Sequence, residues 1–281
     1  MNATKIKLIT DTASDLPDEL LSKHDIHMVP LTIHFGEKEY KDRVELPIPA
    51  FYKELAANTS LPSTSQVNPD QFIEVYKRYL AEGYKILVVG ISLKLSGTLQ
   101  SAQIAKDMLE SDEITIFDSK SASLGEGLCV LKAAQCIAEG MTIPQIVQVL
   151  ETQRAEATGL FVLDSLQHLV RGGRLSKTQA VVGSVLNIKP LLSFANSGEI
   201  VVKEKVRSQK RALQIIINRF KEQNLDFSTK TMGIINTECL ELANEFAKVV
   251  QEEFSPKDII IATGGATIGT HVGTGGIGLF C

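Results

Sequence analysis

Residues 85–102 read KILVVGISLKLSGTLQSA, and this stretch decides the fold class. KILVVGI (85–91) is a short apolar run rich in β-branched residues, the pattern of a strand buried on both faces. SLKLSGT follows, with Ser92, Ser96 and Thr98 around one glycine, Gly97. A helical pattern then begins, with Ser96 placed to cap it. The same order recurs on either side. KIKLIT (5–10) runs into DTASDLP, where Ser14 or Asp15 can cap a helix opening at Pro17. ITIFDS (114–119) leads through a polar turn into a helical stretch at 123–140. Alternating strands and helices imply a parallel α/β sheet, whose ligands lie at the carboxyl ends of the strands. Three hydroxyl-rich loops sit at such ends: DTASD, SLKLSGT and DSKSAS.

Between these units, IHMVPLTIHF (26–35) alternates like a strand, and PIPAFYKELAAN (47–58) reads as a helix. LPSTSQVNP (61–69) reads as a polar loop before a helix opened by Pro69, and IPQIVQVLETQRAE (143–156) as a further helix. Beyond residue 157 the texture changes. QHLVRGGRLS places two arginines around a glycine pair, and KTQAVVGSVLN (177–187) reads as helical. IKPLLSF, IVVKEKV, TMGIINT and DIIIAT read as strands, interleaved with two helices and closed by a glycine-rich tail. The expectation is an α/β chain of two domains. An N-terminal parallel-sheet domain spans 1–156, an α+β domain spans 157–281, and the site lies at their join.

Composition narrows the function. The chain has 281 residues, 44% of them hydrophobic, enough for a sizeable core. A net charge of -4 with basic residues scattered among acids argues against nucleic acid. No run of 18 apolar residues suggests a membrane span, and MNATKIKLIT lacks a signal-peptide layout. Cys129, Cys136, Cys239 and Cys281 show no metal-type spacing. Cys129 and Cys136 fall on one helical face, as reduced, buried small residues would, and the expected compartment is the cytoplasm.

Several chemistries lose their support. Gly273, Gly275 and Gly278 match G-x-G-x-x-G, but only three residues follow, with no helix and no acidic partner, so a dinucleotide site is set aside. Gly90-Ile91-Ser92-Leu93-Lys94 lacks the second glycine of a nucleophile elbow. The five histidines are scattered, and no P-loop occurs. What remains is an anion site of hydroxyls and helix amides at Ser96-Gly97-Thr98, joined by Ser63-Thr64-Ser65 from another loop. Plain helix capping by Ser96 is the simpler alternative. His271 in the tail has a structural and a functional reading.

Taken together, seven stretches in order resemble the DegV family of bacterial lipid-binding proteins. They are DTASDLP (11–17), TSQ (64–66), LSGTLQSA (95–102), DSKSASLGEG (118–127), LVRGGRLS (169–176), GSVLNIKPLL (183–192) and IGTHVGTGGIGLF (268–280). The resemblance implies two α/β domains holding a long-chain fatty acid between them. It implies no cofactor and no catalytic residue. Some members carry the acyl chain for a fatty acid kinase, whose separate ATP-using subunit phosphorylates the carboxylate. By resemblance, Thr64 and Ser96 contact the carboxylate and His271 supports them, with Ser65, Gly97 and Thr98 as neighbours. Arg171 and Arg174 are implied as contacts to a kinase partner, and Arg207 as an arginine tied to carrier function. A transient contact with a membrane surface is compatible with this role. The chain departs from the family at Val67-Asn68, Leu93, Asn236-Thr237 and Thr274, none of them an implied carboxylate contact. A hydrolase or transferase at the same hydroxyl cluster is the alternative, and a lipid sensor a third.

Overall fold

The computed structural model describes residues 5–176, 188–223 and 225–281. The helical reading of 177–187, and residues 183–187 of the GSVLNIKPLL stretch, lie outside the described residues.

KILVVG forms strand β6 (Lys85–Gly90), central in a parallel sheet of order β2-β1-β6-β7. It pairs with β1 (Ile6–Asp11) and β7 (Ile114–Asp118), and β1 in turn with β2 (His27–Val29). After its first residue β6 is wholly buried, because both faces of the sheet are covered. On one face lie α3 (Pro69–Ala81) and α4 (Thr98–Met108), with Phe72, Tyr76, Leu99 and Ala102 packed on Ile9, Ile86 and Val88. Asn68 and Gln71 start α3 with a reciprocal capping box, and Pro69 fills its first turn.

On the other face lies α5 (Leu124–Ala138), backed by α6 (Ile143–Glu156). Buried Cys129 and Cys136 both sit on α5, and all four cysteines are free thiols. Helix α5 packs against β1 and β6 and also against β11 (Thr231–Asn236) of a second sheet. It is therefore buried on both sides, and the core runs through it without a break.

The second sheet is mixed, in the order β10-β9-β8-β13-β11-β12. Its strands are β8 (Gly159–Val162), β9 (Lys189–Phe194), β10 (Ile200–Val206), β11, β12 (Asp258–Thr263) and β13 (Ile277–Phe280). Its outer face carries α8 (Gln209–Lys221) and α9 (Leu240–Phe254), here numbered after the short α7 (Gln167–Arg171). The parallel sheet thus comes from residues 6–118 and the mixed sheet from 159–280.

Four expectations are corrected. The strand read over 26–35 is broken at Pro30, which has no N–H to give to a ladder. Its second half, β3 (Thr32–Phe35), joins a separate antiparallel sheet with β4 (Lys38–Lys41) and β5 (Ser63–Ser65). The polar loop at 61–69 therefore contains a strand. Ser14 and Asp15 do not cap a helix: Ser14 closes a 3-10 turn, Asp15 is left-handed, and α1 (Asp18–Lys23) begins after Pro17. The tail holds helix α10 (Ala266–Val272) and strand β13, which is antiparallel to both β8 and β11. Glycine at 276 and 278 hid that strand from a propensity reading.

Candidate functional site

The loops at the carboxyl ends of β1, β6 and β7 are tied into one platform. Ile91 N donates to Asp11 Oδ2 at 3.0 Å, Ser92 N to the Ser121 carbonyl at 2.8 Å, and Ser123 N to the Ala13 carbonyl at 2.7 Å. Above this platform, between the two sheets, lies a narrow cavity of about 80 Å³. Aliphatic and aromatic side chains dominate its walls: Ile91 and Leu95 from the β6–α4 loop, and Phe161, Phe194, Ile200, Ile235 and Phe280 from the mixed sheet.

Of the residues singled out in the sequence, Thr64, Ser96 and His271 line this cavity. Thr64 Oγ1 lies 2.8 Å from His271 Nε2, so strand β5 and the last turn of α10 meet at one hydrogen bond. Burial, then the nearby charges of Arg174 and His168, push the His271 imidazole down to about 4. It is neutral at ordinary pH. Its Nδ1 is buried with no hydrogen-bond partner among the described residues. Gly172 makes room for it, since a Cβ there would lie 2.3 Å from Nδ1.

Ser96 Oγ accepts from Thr98 N at 3.2 Å and shares a proton with Thr98 Oγ1 at 2.9 Å. The cap position of α4 is Gly97, which has no side chain, and Ser96 reaches the first helical amide from one residue earlier. Ser96 is thus a turn residue facing the cavity, and Thr98 stands behind it. Gly97 permits a close approach by the protein itself. A Cβ there would lie 2.0 Å from Gln66 Oε1, and Gln66 Nε2 donates to Ser101 Oγ at 2.9 Å. This contact seats the Thr64 strand on α4. Ser65 is turned the other way, as its neighbour Thr64 faces in. It is exposed and bonded to His34 Nε2 at 2.7 Å.

The three arginines separate. Arg171 ends α7 and is exposed, and Arg207 is exposed just beyond β10. Arg174 is instead half-buried in the cavity wall. Its Nε donates to the Leu95 carbonyl at 2.9 Å and its Nη1 to the Gly172 carbonyl at 2.6 Å. The site therefore has a cation beside its hydroxyls, which the residue pattern alone did not predict.

Other cavity residues were missed in the sequence. Thr237 and Thr267 contribute hydroxyls, and Ser123 contributes another from the start of α5. Phe161, Phe194 and Phe280 stack in sequence, with centroids 5.5 and 6.4 Å apart, to build one wall. Alternation in IGLF could have flagged Phe280, but nothing local links it to the other two.

The chain matches the family model described as uncharacterised protein, DegV family, over residues 5–281. It belongs to the DegV family. A DegV domain-containing protein of Caldanaerobacter subterraneus is 39% identical over 276 residues, covering 98% of each chain. The crystal structure of DegV of Bacillus subtilis, described as a fatty acid binding protein, superposes with a TM-score of 0.89. It is 33% identical and the match covers 99% of both chains. A DegV family protein of Thermus thermophilus, also described by its fatty acid binding, has a TM-score of 0.90 at 29% identity, again over 99% of both chains. Among the described residues of this DegV chain, no helix is long and apolar enough to cross a membrane, and no group of three or more His, Cys, Asp or Glu could hold a metal.

Proposed function

We propose that this DegV-family protein binds one long-chain fatty acid in the cavity between its sheets, with the carboxylate on Thr64 and Ser96. The observation that carries the reading is the Thr64–His271 hydrogen bond in the wall of a largely apolar cavity. Burying about 15 methylenes contributes on the order of 12 kcal/mol gross, which holds the chain but specifies no headgroup. An unpaired buried carboxylate would cancel several kcal/mol of that.

The neutral His271 supplies what the headgroup needs. With the proton on Nε2, the imidazole donates to Thr64 Oγ1, and the single Thr64 hydroxyl hydrogen is left to donate to the carboxylate. Ser96 adds a second hydroxyl. The α4 amides beneath Ser96 favour negative charge. Arg174 adds a cation beside the headgroup, with two of its five donors on backbone carbonyls and three left free for an anion. The carboxylate oxygens then stay available to a phosphoryl donor.

The reading extends to a carrier in the cytoplasm that presents its lipid to a separate ATP-dependent kinase subunit, with no cofactor of its own. Exposed Arg171 and Arg207 suit such a partner contact, and Arg174 suits the headgroup. The two domains of this carrier, 1–156 and 157–281, meet at the cavity. A hydrolase has less support, because His271 bonds a threonine rather than a serine.

Native mass spectrometry of purified protein, followed by lipid extraction, tests the binding step. We expect one C16–C18 fatty acid per chain, and about tenfold weaker palmitate binding in Thr64→Val. An empty wild-type protein that takes up no added fatty acid would sink the reading. Acyl phosphate formation with added kinase subunit, measured on wild type and Arg207→Glu, tests the partner step.

A further inference from the structure

Among the described residues, four hydroxyls besides Thr64 line the cavity: Ser96, Ser123, Thr237 and Thr267. A hydroxyl has one proton, so each can donate only once. Ser123 Oγ donates to Asp15 Oδ2 at 2.5 Å, and Thr267 Oγ1 donates to Asp42 Oδ2 at 2.5 Å. Neither Asp15 nor Asp42 lines the cavity, and both are buried. Thr12 Oγ1 accepts from Leu31 N at 3.2 Å and lies 3.2 Å from Thr267 Oγ1. The Thr12 hydroxyl thus stands beside Thr267 and is itself a hydrogen-bond partner of Asp42. Thr237 Oγ1 accepts from Gly276 N at 2.8 Å, with its own proton toward the Gly276 carbonyl at 3.5 Å.

The same two carboxylates anchor the helix that carries His271. Asp15 Oδ1 accepts from Gly265 N at 2.8 Å. Asp42 accepts from Ala266 N at 3.2 Å and Thr267 N at 2.9 Å. Three donors on Asp42 and two on Asp15 favour the ionised carboxylates, against the burial that raises both. Resting on the fatty-acid reading above, we infer that Asp15 and Asp42 are positioning residues. By taking the protons of Ser123 and Thr267 they leave Thr64, and Ser96 where Thr98 donates to it, as the free hydroxyl donors among the described cavity residues. They thereby decide on which hydroxyls of the cavity an acyl carboxylate settles.

The test is run at pH 8, above the value of about 7 to which burial pushes Asp15. In the empty protein, NMR should show two slowly exchanging hydroxyl protons, one lost in Asp15→Asn and the other in Asp42→Asn. Absence of both from the wild type overturns the proposal even where the variants fail to fold. Palmitate labelled with carbon-13 at the carboxyl should give one resonance in the wild-type protein. In Asp42→Asn, where the Thr267 proton is released, that resonance should move or split, and affinity should fall about tenfold. Folded variants that both keep wild-type affinity and an unmoved carboxyl resonance also overturn it. A wild-type protein that shows both hydroxyl protons but binds no palmitate upholds the donor assignment and removes the fatty-acid reading alone.

Discussion

Around the cavity, the four-stranded parallel sheet supplies loops and the six-stranded mixed sheet supplies a face. The parallel strands end together, so their loops bring Ile91, Ser96 and Ser123 to one place, with their amides paired within the loop platform. The mixed sheet presents Phe161, Phe194, Ile200, Ile235 and Phe280 side-on, with its backbone groups spent in the ladder. These loops carry the hydroxyls of Ser96 and Ser123, whereas the sheet face offers mainly apolar side chains. A largely apolar cavity set with hydroxyls follows from placing the two against each other.

The largest expected effect lies on the apolar wall. Phe161→Ala removes a ring packed 5.5 Å from Phe194 and should destabilise the empty protein by about 3–5 kcal/mol in urea denaturation. A loss under about 1 kcal/mol would mean that the wall collapses freely and is not a built surface.

Next comes protonation of His271. The His271 value is depressed from 6.5 to about 4 in the folded protein, so its contribution is complete above pH 6.5 and is lost as pH falls toward 4. The loss should approach about 3 kcal/mol. Asp11 and Asp15, raised to about 6 and about 7, act oppositely over part of that span. The difference in stability between wild type and His271→Gln, followed across pH, isolates the histidine, and a flat difference would contradict its neutral burial.

A smaller effect sharpens the geometry. Gly172→Ala puts a methyl against His271 Nδ1 without backbone strain, since φ there is -72. It should weaken palmitate binding about tenfold, or about 1.4 kcal/mol, and lower the melting temperature as the buried ring is forced to shift. Unchanged binding would separate His271 from the headgroup. Smallest of all, Arg207→Glu should leave palmitate affinity at the wild-type value, because that side chain is exposed outside the cavity. A measurable loss in isothermal titration would place Arg207 in the lipid site instead.

Legibility in the sequence followed the range of the cause. The βα units around 5–23, 85–108 and 114–138 could be read because each is built from its own periodicity and turn residues. Strand β5 could not, because Ser63-Thr64-Ser65 carries no apolar alternation and is held in place by Ile33 and His34 across the ladder. Missing that strand concealed why Thr64 faces the cavity while Ser65 faces away. Arg174 read like Arg171 within one Arg-Gly-Gly-Arg turn, but the turn sends one outward and folds the other onto Leu95.

By itself, the sequence determined the parallel α/β core, its hydroxyl-rich loops and the family to which the chain belongs, since local periodicity and short ordered motifs carry that information. Only the tertiary structure decided which hydroxyls can donate. Thr64 meets His271 across 207 residues, and Thr267 surrenders its proton to Asp42 across 225. Those pairings arise because α5 is clamped between two sheets and α10 is seated on buried carboxylates. Packing at that range leaves no periodic trace in the chain.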